Sequence, residues 1–339
     1  MTSPSAAKTP ADSPPFDARS APIRKLLQSA IQAPSSHNTQ PWRFAVEGSD
    51  VHLYADRSRW LRVADADQRE LFVSVGCALE NLLVAAENAG FGTAVQHDVA
   101  TAWTDDLRRV ATVTLRPSGT PETVREGLFA AIPERHTNHE TYDDRLLSAD
   151  DQQALQQCVV DADVALWMTD DEAIRQRVDD LVTQADALQF ADPAWREELG
   201  AWMGRGVFGT SWLLSKIGKL AVTYLDMGDS QAQKDRDLLG SAPVLAVLAT
   251  DDNDREAQVR AGQALERVWL TATARGLALH PMNQILQLPE LKTEVQALLP
   301  RPQMHPQITF RLGHAEPAPS NTPRRPVSEV LLDDAPSAD

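Results

Sequence analysis

Residues 33–44, Ala-Pro-Ser-Ser-His-Asn-Thr-Gln-Pro-Trp-Arg-Phe, string hydroxyl, imidazole and amide side chains between two prolines. Groups of that kind at a break between elements can turn side chains and backbone amides toward a ligand. The alternative is a capped loop whose hydroxyls bond only its own backbone. Other chemistries find less support. The histidines show no His-x-x-x-His spacing for a metal hydrolase, and no Gly-x-Ser-x-Gly elbow marks a serine hydrolase. Cys77 and Cys158 lie far apart without metal-ligand spacing, which suits buried apolar thiols.

The elements around this stretch follow from its neighbours. Ile23, Leu26, Leu27, Ala30 and Ile31 have helical spacing, and Pro34 stops that helix. Trp42, Phe44 and Val46 alternate with Arg43, Ala45 and Glu47 as in a half-buried strand. A turn at 47–50 and a partner strand at 51–55 make a hairpin. Leu71 to Ala86 predicts a long helix, apolar on more than one face, ended by Gly90. A strand at 110–115 precedes Pro117-Ser118-Gly119, the best hinge between two halves. Beyond it, Ser148 and Thr169 are predicted N-caps, the second opening a helix that turns Ile174, Val178, Leu181, Val182, Ala185 and Leu188 inward. Val164 to Met168 reads as a buried strand, Trp195 to Met203 as an apolar helical stripe, and Ala242 to Ala249 as a strand buried on both faces. A helix from about Asp254 to Gly276, one near 289–299 and a strand at 307–313 complete the second half. Residues 204–240 mix glycines with apolar side chains and read either as a lid or as a helix pair packed on the core. No internal repeat is evident. Alternation of strands and helices favours an α+β fold.

The chain has 339 residues, 42% of them hydrophobic, enough for one large domain or two intimate ones. With 48 acidic against 32 basic residues its formal charge is −16, which disfavours nucleic acids and anionic lipid surfaces as partners. No apolar run reaches membrane-spanning length. The opening residues, through Pro15, lack an apolar core and do not read as a signal peptide, so a cytoplasmic location is expected.

Pro34-Ser35-Ser36-x-Asn38-x-Gln40-Pro41-Trp42 resembles the flavin-contacting segment of the nitroreductase family of FMN enzymes. Further segments strengthen the resemblance. Arg135-His136-Thr137-Asn138-His139 is similar to the family's Arg-x-Ser/Thr-x-Arg phosphate motif, with His139 where Arg or Lys is usual. Arg324-Arg325-Pro326 resembles the Arg-Arg-Pro that closes the fold, and one of its arginines is expected at the phosphate. The resemblance implies ring contacts from Pro34, Ser35, Ser36, Asn38 and Gln40. It implies others from His280, Pro281, Met282 and Asn283, in the loop after the second long helix. Such a phosphate wants arginines, hydroxyls and amides, and the ring supplies the redox chemistry.

The order of these parts resembles the single-chain, Acg-like twin nitroreductases, in which two halves imitate a dimer. The implied architecture is α+β and nitroreductase-like, with tails at 1–19 and 333–339, a first half at 20–118 and a second at 119–332 that holds the 204–240 lid. The implied chain is a monomer with an internal pseudo-dimer, or a weak homodimer, with one FMN at the junction. Its implied activity is FMN-dependent transfer of electrons from NAD(P)H to a small nitroaromatic or quinone. The rival readings are a lidded, flavin-sequestering protein with little turnover, and a scaffold without cofactor.

Overall fold

The computed structural model describes residues 20–98, 102–117, 125, 127–207, 242–317 and 322–336. Two four-stranded antiparallel sheets carry the fold. The first comprises β1 (Trp42–Glu47), β2 (Asp50–Asp56), β3 (Phe91–His97) and β4 (Leu107–Pro117), in the order β1-β2-β4-β3. The second comprises β5 (Val164–Thr169), β6 (Val244–Thr250), β7 (Ala278–Pro281) and β8 (His305–Gly313), in the same order, β5-β6-β8-β7. Each sheet sends a 20-residue helix into the centre between its second and third strands. These are α2 (Arg69–Asn88) and α6 (Arg255–Ala274).

The sequence explains why both helices are central. Every residue of α2 but the last is buried, as an all-round apolar pattern requires. Where α2 and α6 cross, a Cβ on Gly76 would stand 2.1 Å from the Val259 carbonyl oxygen. Reciprocally, a Cβ on Gly262 would stand 2.1 Å from that of Val73. Gly76 and Val73 on α2 thus meet Gly262 and Val259 on α6 as self-complementary surfaces meet across a two-fold axis. The two helices also share sequence. At an offset of 186 positions, Arg69, Glu70, Val73, Gly76, Ala78, Leu79 and Glu80 recur as Arg255, Glu256, Val259, Gly262, Ala264, Leu265 and Glu266. This repeat corrects the expectation of none. It is sparse because only crossing, capping and core positions are constrained on both sides.

Six further helices flank this pair among the described residues. They are α1 (Ala21–Ala30), α3 (Ala149–Gln157), α4 (Glu172–Ala191), α5 (Pro193–Gly204), α7 (Pro289–Leu298) and α8 (Val327–Val330). The chain end crosses back to the first sheet. Leu331 bridges Phe44 on β1, and the Leu332 amide donates to the Phe44 carbonyl at 2.7 Å.

Local expectations largely match these elements, with four differences. Ser148 caps α3 as its sequence suggests, but Asp171, not Thr169, caps α4. The Asp171 carboxylate accepts from the Ile174 amide, and the Thr169 hydroxyl accepts from the Asp171 amide one step earlier. Leu188 is 48% exposed rather than inward. β5 is an edge strand, only partly buried, because β6 takes the central place. β3, whose alternation is weak, escaped the sequence reading and pairs with β4 along the opposite edge of its sheet. Both cysteines are free and buried. Most of the 204–240 region, and the 118–119 boundary, lie outside the described residues. Among the described residues no helix is long and apolar enough to cross a membrane.

Candidate functional site

One cavity of about 270 Å³ opens where the halves meet. Its floor is the crossing pair, with Val73, Ser74 and Cys77 from α2 and Leu265 and Trp269 from α6. Its rim is built by the 34–38 loop, residues 135–139, residues 280–284 and the returning segment at 322–324.

The 34–40 loop is held in an uncommon shape. His37, Asn38 and Gln40 have φ near +50°, a left-handed region costly for residues other than glycine. Tertiary bonds offset that cost. The Asn38 side-chain amide donates to the carbonyls of Val207 at 2.6 Å and Pro323 at 2.9 Å, and its oxygen accepts from Arg324 at 3.1 Å. The Ser35 hydroxyl accepts from the Gln40 amide at 2.9 Å, and the Ser36 hydroxyl donates to Glu70.

One end of the cavity is cationic. Arg135, 3% exposed, lies over the Trp269 ring at 4.6 Å and donates to the Gln32 carbonyl at 3.1 Å. Arg324 reaches the same carbonyl at 3.2 Å from the far end of the chain. Two guanidinium groups thus meet at one oxygen, and the carboxylate beside them is Glu266, 3.5 Å from Arg135. Burial raises the Glu266 carboxyl to about 7, against the opposing pull of Arg135, Asn81 and Arg324. Burial, and then Arg135, lower Arg324 to about 9. Burial, Arg135 and Arg324 together lower His136. Like charges held together against desolvation make a ready seat for an anion.

Of the sequence-identified residues, Pro34, Ser35, Ser36, Asn38, Arg135, His136, Thr137, His139, His280, Pro281, Met282, Asn283 and Arg324 line this cavity. Gln40 and Arg325 do not. Gln40 lies behind the loop, where its carbonyl groups accept from the Arg325 backbone and guanidinium and its amide donates to Asn38 and Pro323. Arg325 is tied there and to Glu329. Of the arginine pair, Arg324 therefore faces the cavity. Sequence reasoning missed Glu70, Gln189, Trp195, Trp269 and Gln287. The Gln189 amide donates to Gln287 at 2.6 Å, and that of Gln287 donates to Glu70 at 2.9 Å, a chain joining α4 to the start of α2. Glu70 and Trp269 had a signal in the two long helices; Gln189 and Gln287 had none, because their partners are distant in sequence.

At the pseudo-two-fold counterpart of Glu266 the carboxylate is instead paired. Glu80, counterpart of Glu266, accepts from Arg125 at 2.7 Å, from Gln263 at 3.2 Å and pairs with Arg267 at 3.0 Å. Arg267 takes the place of Asn81 and also reaches the Cys158 carbonyl at 3.4 Å and Asp161 at 2.7 Å. Its guanidinium thus meets the end of α3 much as Arg135 and Arg324 meet the end of α1.

Two topologically equal halves around one cationic, aromatic-floored cavity define an internally duplicated α+β protein. Comparison with known proteins agrees. The family model described as the nitroreductase family matches residues 146–314. The Mycobacterium tuberculosis protein Rv3131, assigned by name to the NAD(P)H nitroreductases, is 32% identical over 320 residues, spanning 91% of this chain and 90% of its own. Another protein of that organism, acg, is 31% identical over 91% of this chain and 95% of its own. Among solved structures, the FMN-dependent nitroreductase NfnB from Mycobacterium smegmatis, in complex with NADPH, aligns over 60% of this chain and 96% of its own. Its sequence identity is 14% and its TM-score 0.39. The chain belongs to the nitroreductase family.

Proposed function

We propose that the cavity holds one FMN per chain, and that the protein passes electrons from NAD(P)H to a small acceptor of nitroaromatic or quinone type. The observation that carries this reading is the meeting of Arg135 and Arg324 at the Gln32 carbonyl, beside the buried carboxylate of Glu266. A phosphate dianion answers that surplus charge. Thr137 and His136 add a hydroxyl and an imidazole beside it. Val73, Leu265, Trp269 and Ile308 offer an apolar wall to a ring, and Ser35 and Ser36, with the backbone at 280–283, offer hydrogen bonds to its polar edge, while Asn38 holds the loop in place. Bound FMN supplies the hydride and electron chemistry.

The chain's own contribution is placement. Arg135 and Arg324 anchor one end, the strained 34–40 loop presents its amides, and the crossing helices keep water from the floor. The pairing of Glu80, the counterpart of Glu266, with Arg125 and Arg267 supports a stoichiometry of one. Replacing Arg135 by Ala removes charge-assisted hydrogen bonds worth about 1.5–3 kcal/mol, so FMN should bind about 10- to 100-fold more weakly. Unchanged FMN affinity in that variant would overturn the reading. Anaerobic mixing of the FMN-loaded protein with NADPH should bleach the flavin absorbance. Bound flavin that stays oxidised would favour sequestration instead.

A further inference from the structure

His280 lines the cavity from β7, and its partner across the sheet is Arg311 on β8. The Arg311 Nε–H group donates to His280 Nδ1 at 3.1 Å. A guanidinium has donors and no acceptor, and it stays protonated in proteins. Nδ1 must therefore carry the lone pair, and the single ring proton of the neutral imidazole sits on Nε2. Arg311 is itself fixed. It is 2% exposed, its guanidinium lies 4.6 Å over the Tyr142 ring, and a further N–H donates to the Glu140 carbonyl at 3.3 Å.

The other charged and titratable groups nearby act on the same pair. From α4, Asp179 faces Arg311, and Arg175 faces Asp179 in turn. Burial raises the Asp179 carboxyl to about 6 although both arginines favour its charged form. From the 135–142 segment, the His139 ring meets His280 edge-on with centroids 4.5 Å apart. Protonating His280 would break the Arg311 bond, because both nitrogens would then be donors, and would set a second cation against Arg311.

We propose that Arg311 is a positioning residue that locks His280 as a neutral, Nε2-protonated imidazole, so that His280 serves as a non-titrating hydrogen-bond donor to the ring bound in the cavity. The role toward the ring rests on the FMN reading, whereas the tautomer stands without it. The geometry excludes His280 as an acid that cycles its proton near neutral pH, since its second nitrogen is occupied. It also gives a reason for histidine rather than a cation at residue 139: a permanent charge there would crowd the same ring.

The test uses ¹⁵N-histidine NMR of the full chain without added FMN, with the His280→Gln spectrum assigning the resonance. The expected result is a pyridine-type Nδ1 and a pyrrole-type Nε2 that hold their shifts from pH 5.5 to 8. Arg311→Leu should restore an ordinary titration near 6.5, and Arg311→Lys, which keeps a donor, should suppress it again. A protonated Nδ1, or a wild-type His280 that titrates normally, would overturn the lock whatever FMN does. For the role toward the ring, FMN titrations should show about 3- to 10-fold weaker binding for His280→Ala and near-wild-type binding for His280→Gln, which keeps a donor. Equal affinity of wild type and His280→Ala would overturn that role while leaving the tautomer standing. Failure of the wild type to bind FMN would instead overturn the cofactor reading.

Discussion

A single methyl group at the helix crossing should cost more than any surface change. In Gly76→Ala the added Cβ would stand 2.1 Å from the Val259 carbonyl oxygen and 3.0 Å from the Gly262 Cα. Ordinary contact begins about 1.3 Å farther out than the first of these. Both atoms it meets are backbone atoms of α6, so no side-chain rotation relieves the clash. The helices must part along much of their length, and the floor of the cavity parts with them. Overpacking typically costs 1–3 kcal/mol. A backbone-against-backbone clash at the centre of the molecule belongs at the top of that range, about 3 kcal/mol, which lowers the melting temperature of a chain this long by roughly 4 °C. Gly262→Ala should behave alike, since its Cβ meets the Val73 carbonyl at the same distance. Gly200 in α5 is the control. It is exposed, nothing lies within 4 Å of the methyl that alanine would add, and the substitution should stabilise by about 0.5–1 kcal/mol. Thermal unfolding of the three variants, followed by FMN titration, checks the reasoning. A Gly76→Ala protein melting within about 1 °C of wild type would refute it.

Two further predictions concern the cationic end. Arg324→Ala should weaken FMN binding about tenfold or more, whereas Arg325→Ala, whose guanidinium serves Gln40 and Glu329, should change it several-fold less; equilibrium titration distinguishes them. Glu266 should make stability fall with rising pH. Its folded-state carboxyl lies near 7 against an ordinary 4.5, so it costs nothing below 4.5, costs progressively more up to about 7, and is constant above. The whole interval is worth about 3 kcal/mol, and urea denaturation at pH 5 and 7.5 should show a wild-type drop about 2 kcal/mol larger than that of Glu266→Gln, in which Asp179 still titrates.

Much of the site was legible because its parts are local in sequence. The Pro34–Trp42 stretch, the Arg135–His139 stretch and Arg324 carry residue types that announce an anion and a planar ring, and each lines the cavity. The long helices announced themselves by apolar content, and caps such as Ser148 by their spacing to the first turn. The errors came where two nearby residues compete for one role. Asp171 takes the α4 cap from Thr169, and Gln40, expected beside the ring, lies off the cavity against Arg325. Exposure of Leu188 and the edge position of β5 depend on which neighbour covers them, and spacing along one chain does not encode that.

The amino-acid order alone determined the α+β class, the surplus negative charge, the hydroxyl-rich crossing and the arginines, because each depends on residues close in the chain. The tertiary structure decided which of those groups share a volume. It brought Arg135 and Arg324 to one carbonyl, set Arg311 against His280, and paired Glu80, the counterpart of Glu266, with Arg125 and Arg267. The physical reason is the backbone contact at Gly76 and Gly262. Two helices close enough to touch there fix the relation of the halves, and the pairings of the site that cross between the halves depend on that relation.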